Sequence, residues 1–478
     1  MTIHVTSPLQ YNLLALVAGA SKFAMEAGRD HGGRLHVAML SSSGIGHLTP
    51  LAELARRLAL RHGVSVTLMV SAADSSSPFY STLVDSLPPG VSAVALPESA
   101  LSGPASAVSM TINVSLPAVR RVLEGLNQSI TGERLAALIV DFFGTDVFEV
   151  EADVGVPSFL FFPSNLFLLS LSLHLPVMHD AMPQLRDPVE LPGCLPLFFN
   201  DLPEVVRSRG TEGYEILLRH VRRYEKAEGI LVNSFRAMEA EAATIFSERN
   251  PGWPPVYLVG PLVPEEPPRD TSSPSLCLEW LDEQPNGSVL YICLGSLGVL
   301  SDEQVKEMAF GLEESGQSFL WVLGGLVTED EDPVGCLPPG FLERTKGAGR
   351  VLTSWAPQLR ILRHRAVGGF LTHCGWNSVQ ECVVQGRVPM IAWPLYAEQS
   401  MNALILVERL GVAIRTEGQG EDGVVRREAI SAAVVELMKG ERGRAARERV
   451  RALHAAAEEG ASSEVLADVV AAWKSKLN

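Results

Sequence analysis

The chain has 478 residues, 46% of them hydrophobic and 20% charged, with 39 basic against 55 acidic side chains and a formal charge of −16. This length allows two or three domains of ordinary size, the composition is that of a globular protein, and the acidic surplus argues against a nucleic-acid partner. No apolar run reaches the ~18 residues of a membrane span, and no basic segment precedes the apolar Leu13–Ala20, so stable membrane insertion and a signal peptide are not expected. The six cysteines (194, 277, 293, 336, 374 and 382) form no CxxC pair and no zinc spacing, which points to reduced thiols in a cytoplasmic protein. The sequons at Asn113, Asn127 and Asn286 are then chance matches.

Residues 1–33 precede the first core strand and read as an N-terminal extension. The apolar run Leu35–Leu40 stops at Ser41-Ser42-Ser43-Gly44, a strand feeding a tight loop. Leu51, Leu54, Ala55 and Leu58 then recur at i, i+3, i+4, i+7, a helical stripe. The β-rich Val64–Val70 follows, and Ala137–Val140, Ser158–Phe162 and Ile230–Val232 continue the strands. Leu166–Leu175 is apolar nearly all round, either core or the wall of a greasy pocket. Prolines crowd 251–275, as in an extended connector. Beyond it the alternation restarts with Val289–Leu294, the turn Gly295-Ser296, and a capping box at Ser301 and Gln304. Phe319–Leu323, Arg350–Thr353, Gly369–Leu371 and Met390–Ala392 are further strands, and Gly440–Asn478, rich in Ala, Arg and Glu, should be helical. Such alternation gives parallel sheets with helices on both faces, here an α/β chain of two doubly wound domains.

One segment carries most of the chemistry. In Gly368–Glu381 an apolar strand meets His373-Cys374-Gly375-Trp376-Asn377-Ser378 and then a helical register. A helix N-terminus presents unpaired N–H groups and about half a positive charge, a seat for a diphosphate. Asn377 and Ser378 can add side-chain donors, and His373 another N–H. Taken alone, the pattern also fits an ordinary capped helix with a core histidine.

The whole stretch from Trp355 to Gln399, 45 residues, closely resembles the donor-binding signature of the plant family-1 UDP-glycosyltransferases. The likeness extends over nearly all of 34–478 through GHLTPLAELARRL, VDFFGTDVF, EGILVNSF, LPPGFLERTK and IAWPLYAEQ. It is nearest to the group that glucosylates small phenols such as hydroquinone and monolignols. The resemblance implies the GT-B fold, two Rossmann-like domains facing each other across a cleft. Residues 34–250 would bind the acceptor, 251–275 would link, 276–450 would bind the UDP-sugar, and 451–478 would form a helical segment packing back toward the N-terminal domain.

It also implies roles. Trp355 should stack on uracil, Gln358 and Glu381 should hold the ribose hydroxyls, and His373, Asn377 and Ser378 the diphosphate. Trp376, Glu398 and Gln399 should meet the sugar. Ser296, Gly46, Ala356 and Gly375 complete the donor set. Vicinal hydroxyls suit carboxylate and amide partners, and a terminal Gln399 goes with glucose. Bland alternatives stand beside these: core aromatics at Trp355 and Trp376, a solvated charge at Glu398. The sequence departs from the signature at an extra residue, read as Arg387, at Gln380 in place of an apolar residue, and at Leu294 where Phe is common. Arg387 could bulge harmlessly or shift the segment Trp393–Gln399.

For the acceptor side, the family places its catalytic histidine in a loop like Ser43–His47. His47 would act as general base, an imidazole having an ordinary pKa near ~6.5. Asp141, at the end of the strand Ala137–Val140, would fix its tautomer, or else merely cap a helix. The expected reaction is an inverting displacement from UDP-glucose to a small phenol, by a monomer with no metal and no cofactor beyond the co-substrate. Asp330-Glu331-Asp332 matches a metal-binding DxD by letters only and reads as a solvated acidic loop. The alternatives are a UDP-sugar epimerase on the same fold and a non-catalytic UDP-sugar binder. A dinucleotide oxidoreductase is disfavoured, because no GxGxxG opens a helix with an acidic residue ~20 positions on.

Overall fold

A computed structural model of the protein describes residues 34–97, 115–128, 133–181, 187–248, 252–265, 276–296, 298–323, 335–416, 423–459 and 462–477. The expected extension 1–33, the sequon at Asn113, the end of the proline-rich stretch (266–275) and the Asp330–Asp332 run lie outside them. Contact density divides the chain into two compact units. One is formed by Met1–Leu160, Lys226–Glu228 and Leu466–Asn478, the other by Phe161–Glu225 and Gly229–Val465.

The first strand, β1 (Leu35–Leu40), is wholly buried and leads through Ser41–Gly44 into α1 (Ile45–His62). Gly44 takes φ 100 at the helix start and Gly63 takes φ 65 at its end, where a side chain would be strained. The stripe Leu51, Leu54, Ala55, Leu58 is buried, as its spacing required. Then come β2 (Ser65–Ser71), β3 (Val91–Leu96), β4 (Arg134–Asp141), β5 (Ser158–Phe162), α2 (Leu166–Ala181), β6 (Ile230–Val232) and β7 (Val256–Leu258). The strand order is β3-β2-β1-β4-β5-β6-β7, with β1–β2, β2–β3, β1–β4 and β6–β7 parallel. β7 arises inside the proline-rich stretch read as connector.

The second sheet has the order β10-β9-β8-β11-β12-β13. Its strands are β8 (Val289–Cys293), β9 (Ser318–Val322), β10 (Gly349–Leu352), β11 (Val367–Thr372), β12 (Met390–Ala392) and β13 (Ala413–Arg415), and every pairing is parallel. Alternate residues serve opposite cores. Val289, Tyr291, Leu320 and Phe370 join one cluster, whereas Leu290, Ile292, Phe319, Trp321 and Leu371 join the other. A sheet packed on both faces in this way reads in sequence as unbroken apolar runs.

Helix α3 (Asp302–Ser315) is capped by Ser301, whose hydroxyl accepts from the Gln304 N–H at 3.2 Å. The reciprocal half of the expected capping box is absent. Gln304 instead brackets the Val425 peptide, donating to its carbonyl at 2.9 Å and accepting from its N–H at 2.8 Å. Short helices α4 (Trp376–Glu381) and α5 (Gln399–Leu404) frame the donor motif, and α6 (Arg427–Lys439), α7 (Glu441–Glu459) and α8 (Ser462–Leu477) end the chain. On α8, Trp473 is buried and meets Phe159 edge-on at 5.6 Å, both within the first unit.

Candidate active site

In the first unit, the strand end and the loop after β1 converge on one carboxylate. Asp141 closes β4 with no exposed surface, and its Oδ2 lies 2.9 Å from His47 Nδ1. Ser42 Oγ donates to Oδ1, and the Phe143 N–H reaches the same oxygen at 3.3 Å. A carboxylate can only accept, so Nδ1 of His47 carries the hydrogen and Nε2 keeps its lone pair. The imidazole lies against Phe142 in a stacked pair at 5.5 Å and against Phe143 at 5.9 Å, with a quarter of its side chain still exposed. A base held this way can take a proton through Nε2 without changing tautomer. The sequence pointed to His47 and Asp141 but not to Ser42, Phe142 or Phe143, although all three stand in the quoted segments. Gly46 is exposed, and a Cβ there would meet nothing.

In the second unit, β11 ends at Thr372 and the chain turns through His373-Cys374-Gly375 into α4. Cys374 sits at φ 65, a left-handed conformation rare for a residue with a Cβ. Arg387 (φ 57) and Ala397 (φ 53) are the other such residues among those described, so all three fall inside the donor motif. Each left-handed L-residue costs roughly 1–2 kcal/mol, and strain of this kind collects at functional turns.

His373 is 8% exposed, and burial pushes its pKa down to about 4, against a smaller opposing effect from a backbone hydrogen bond at Cys293. The ring is therefore neutral near pH 7 and offers an N–H dipole, not a cation. Two glycines enclose it: a Cβ on Gly295 (φ 80) would lie 2.7 Å from Nε2, and one on Gly375 would run into the same atom. Ser296, next to Gly295, is exposed.

Trp355 is 63% exposed, while Ala356 beside it is buried. Gln358 gathers the polar groups behind it. Its Nε2 donates to Glu381 at 2.7 Å and to Ser378 Oγ at 3.0 Å, and its Oε1 accepts from the Tyr291 hydroxyl at 3.5 Å. Burial raises the Glu381 carboxyl to about 7, with the Gln358 bond opposing that rise. Asn377 is half-buried in the first turn of α4.

The side chain of Trp376 turns into the core. It is 3% exposed, and its indole N–H donates to the Asn233 carbonyl at 2.7 Å. Gln380 donates to that carbonyl too, which explains a polar residue at a position where an apolar one was expected. What Trp376 can offer a ligand is its place at the helix start, where N–H groups project outward. Glu398 is half-buried and accepts from Ser164 Oγ at 3.3 Å. Gln399 is buried, its Oε1 taken by the Leu395 and Tyr396 N–H groups at 2.8 and 3.1 Å.

The extra residue is absorbed before β12. Cys382–Gly386 widens into a π turn closed by the Arg387 N–H on the Cys382 carbonyl at 2.6 Å. A π turn accommodates one added residue in a helix. β12 then pairs in register, Phe370 opposite Met390, and the Trp393 N–H reaches the Thr372 carbonyl at 2.9 Å.

Among the described residues no group of three or more His, Cys, Asp or Glu could hold a metal ion, and no helix is long and apolar enough to cross a membrane. None of the six cysteines is in a disulfide, and burial pushes the Cys374 thiol up to about 12.

The family model described as "UDP-glucoronosyl and UDP-glucosyl transferase" matches residues 270–442. UDP-glycosyltransferase 72B1 of Arabidopsis thaliana is 43% identical over 467 residues, covering 92% of this chain and 96% of that protein. The hydroquinone glucosyltransferase of Rauvolfia serpentina is 41% identical over 473 residues, covering 93% and 98%. Among solved structures, UGT2 of Phytolacca americana, complexed with UDP-2fluoro-glucose and pterostilbene, superposes with a TM-score of 0.82 at 39% identity, over 92% of this chain and 99% of that one.

Proposed function

The chain belongs to the plant family-1 UDP-glycosyltransferases, and from that premise we propose that it transfers glucose from UDP-glucose to a hydroxyl of a small phenol, with inversion at the anomeric carbon. The phenolic acceptor is supported by the hydroquinone glucosyltransferase and by the pterostilbene complex of the Phytolacca enzyme. Glucose as the sugar is supported by the uridine-sugar analogue in that complex and by Gln399 at the motif's end.

The observation that carries the reading is the 2.9 Å bond from His47 Nδ1 to a buried Asp141, which leaves Nε2 as the basic atom. The phenol O–H gives its proton to Nε2 of His47. The oxygen bonds to the anomeric carbon as the bond from that carbon to the phosphate oxygen breaks, and UDP departs. Asp141 stabilises the imidazolium so formed. The negative charge on the departing diphosphate is met by the first-turn N–H groups of α4, the neutral His373 and the side chains of Asn377, Ser378 and Ser296. Trp355 stacks on the base with Ala356 beneath it, Gln358 and Glu381 hold the ribose, and Glu398 and Gln399 orient the hexose. The step needs no metal and no covalent enzyme intermediate, and full activity in excess chelator is expected.

The test is incubation with UDP-glucose and a panel of phenols. The expected product is a phenol heavier by one hexose, with a β-glycosidic proton coupling, and with UDP released only when phenol is present. Conversion of UDP-glucose to an isomeric UDP-sugar without phenol, and with no net UDP, would favour the epimerase alternative, and an α-glycoside would refute inversion.

A further inference from the structure

The diphosphate turn is held by a connection that the reaction scheme leaves unused. Cys374, left-handed at φ 65, precedes Gly375 and α4, and its carbonyl accepts from Asn402 Nδ2 at 2.9 Å. Asn402 lies on α5, three residues after Gln399. Its Oδ1 accepts from Asn165 Nδ2 at 2.6 Å. Asn165 precedes α2, and its own Oδ1 accepts from the Leu168 N–H at 2.9 Å. Both asparagines have no exposed surface.

The polarity of this chain is fixed from both ends. A backbone carbonyl can only accept, so Asn402 must present its NH2 to Cys374 and its oxygen to Asn165. A backbone N–H can only donate, so Asn165 must present its oxygen to Leu168 and its NH2 to Asn402. Neither amide can flip without placing two acceptors or two donors together in a dry interior. The other first-turn N–H groups of α2 are taken already: Leu166 and Phe167 donate to Glu239 at 3.0 Å each, and Leu169 to the Asn165 carbonyl at 3.1 Å.

We infer that Asn402 and Asn165 are positioning residues, a relay of two buried amides that holds the Cys374 carbonyl and thereby keeps the Cys374–Gly375 turn in its left-handed form, with the N–H groups of α4 aimed at the diphosphate. This rests on the donor-site reading above. Asn402 sits on the helix that Glu398 and Gln399 open, so the relay also ties the sugar segment to the diphosphate turn.

The experiment is calorimetric titration of the full chain with UDP and, separately, with uridine, which lacks the phosphates. Asn402→Leu removes the relay's centre. Asn165→Asp keeps an oxygen for Leu168 but turns an acceptor toward Asn402 Oδ1, and it serves where Asn402→Leu does not fold. Each is expected to weaken UDP about tenfold, as loss of one hydrogen bond's worth of positioning would. Uridine affinity and the KM for the phenol should stay unchanged. Wild-type UDP affinity in a folded variant, or a parallel loss of uridine and UDP, overturns the relay. A wild-type protein that does not bind UDP overturns the donor-site reading instead.

Discussion

Asp141→Asn changes one oxygen to an NH2 group at the centre of the base. Two donors, Ser42 Oγ and the Phe143 N–H, converge on Oδ1, whereas Oδ2 faces only the His47 Nδ1 in this set of bonds. The asparagine oxygen will therefore take the Oδ1 position and its NH2 the Oδ2 position. His47 must then accept at Nδ1 and carry its hydrogen on Nε2, the wrong tautomer for taking a proton. General-base catalysis is worth about 10²–10⁴ in rate, and at ~1.36 kcal/mol per decade this is a barrier increase of about 2.7–5.4 kcal/mol. The assay is chromatographic measurement of glucoside formation by folded variant and wild type, with UDP affinity measured on the same samples. A series of phenols of rising acidity sharpens it. An acidic phenol already ionised at the assay pH needs no base, so its rate should fall far less than that of a weakly acidic one. Equal losses across the series, or wild-type turnover of a weakly acidic phenol, would refute the tautomer argument.

Glu381 sets a pH dependence. Its folded pKa of about 7 exceeds the ordinary 4.5, so the folded state binds the extra proton. This group's contribution to stability is then present at low pH and is lost as pH rises from 4.5 through 7. Glu381→Gln should raise the melting temperature at pH 8, by the equivalent of roughly 3–4 kcal/mol before relaxation, and leave it unchanged below pH 4.5. A constant difference across that range in a fluorimetric melt would contradict the assignment. His373 runs the other way: its pKa is lowered to about 4, so its contribution is intact above the ordinary 6.5 and is lost as pH falls toward 4. His373→Gln should be less acid-sensitive in that window and bind UDP more weakly. Gly295→Ala adds a Cβ 2.7 Å from His373 Nε2 at a residue with φ 80. It should cost about 1–3 kcal/mol of stability and lower UDP affinity at least tenfold by titration, and unchanged affinity would show that the imidazole is not held by that packing.

The sequence carried the fold where local pattern decides. β1, β5, β6 and β12 have the bounds read for them from local sequence pattern. β3, VSAVAL, escaped notice because it is half-exposed and built partly of Ser and Ala, weak strand formers. β7 lies inside the proline-rich stretch whose composition reads as a connector, and β13 is a three-residue strand that ends on the charged Arg415. Side-chain partners far apart in the chain were illegible for a different reason. Ser301 caps its own helix, a local act, but Gln304 goes to Val425 because that peptide lies within reach only after folding. Trp376 and Gln380 meet at the Asn233 carbonyl, and Asn165 meets Asn402, contacts that no spacing along the chain foretells. The motif named the residues of the donor turn; that the Trp376 indole faces inward and that His373 is neutral came from burial alone.

The most direct test of the whole account is the turnover number of His47→Ala with UDP-glucose and a weakly acidic phenol, with UDP affinity measured on the same preparation. The account predicts a loss of about 10²–10⁴ in kcat at unaltered UDP affinity. Turnover within a few-fold of wild type, with the donor still bound, would contradict it.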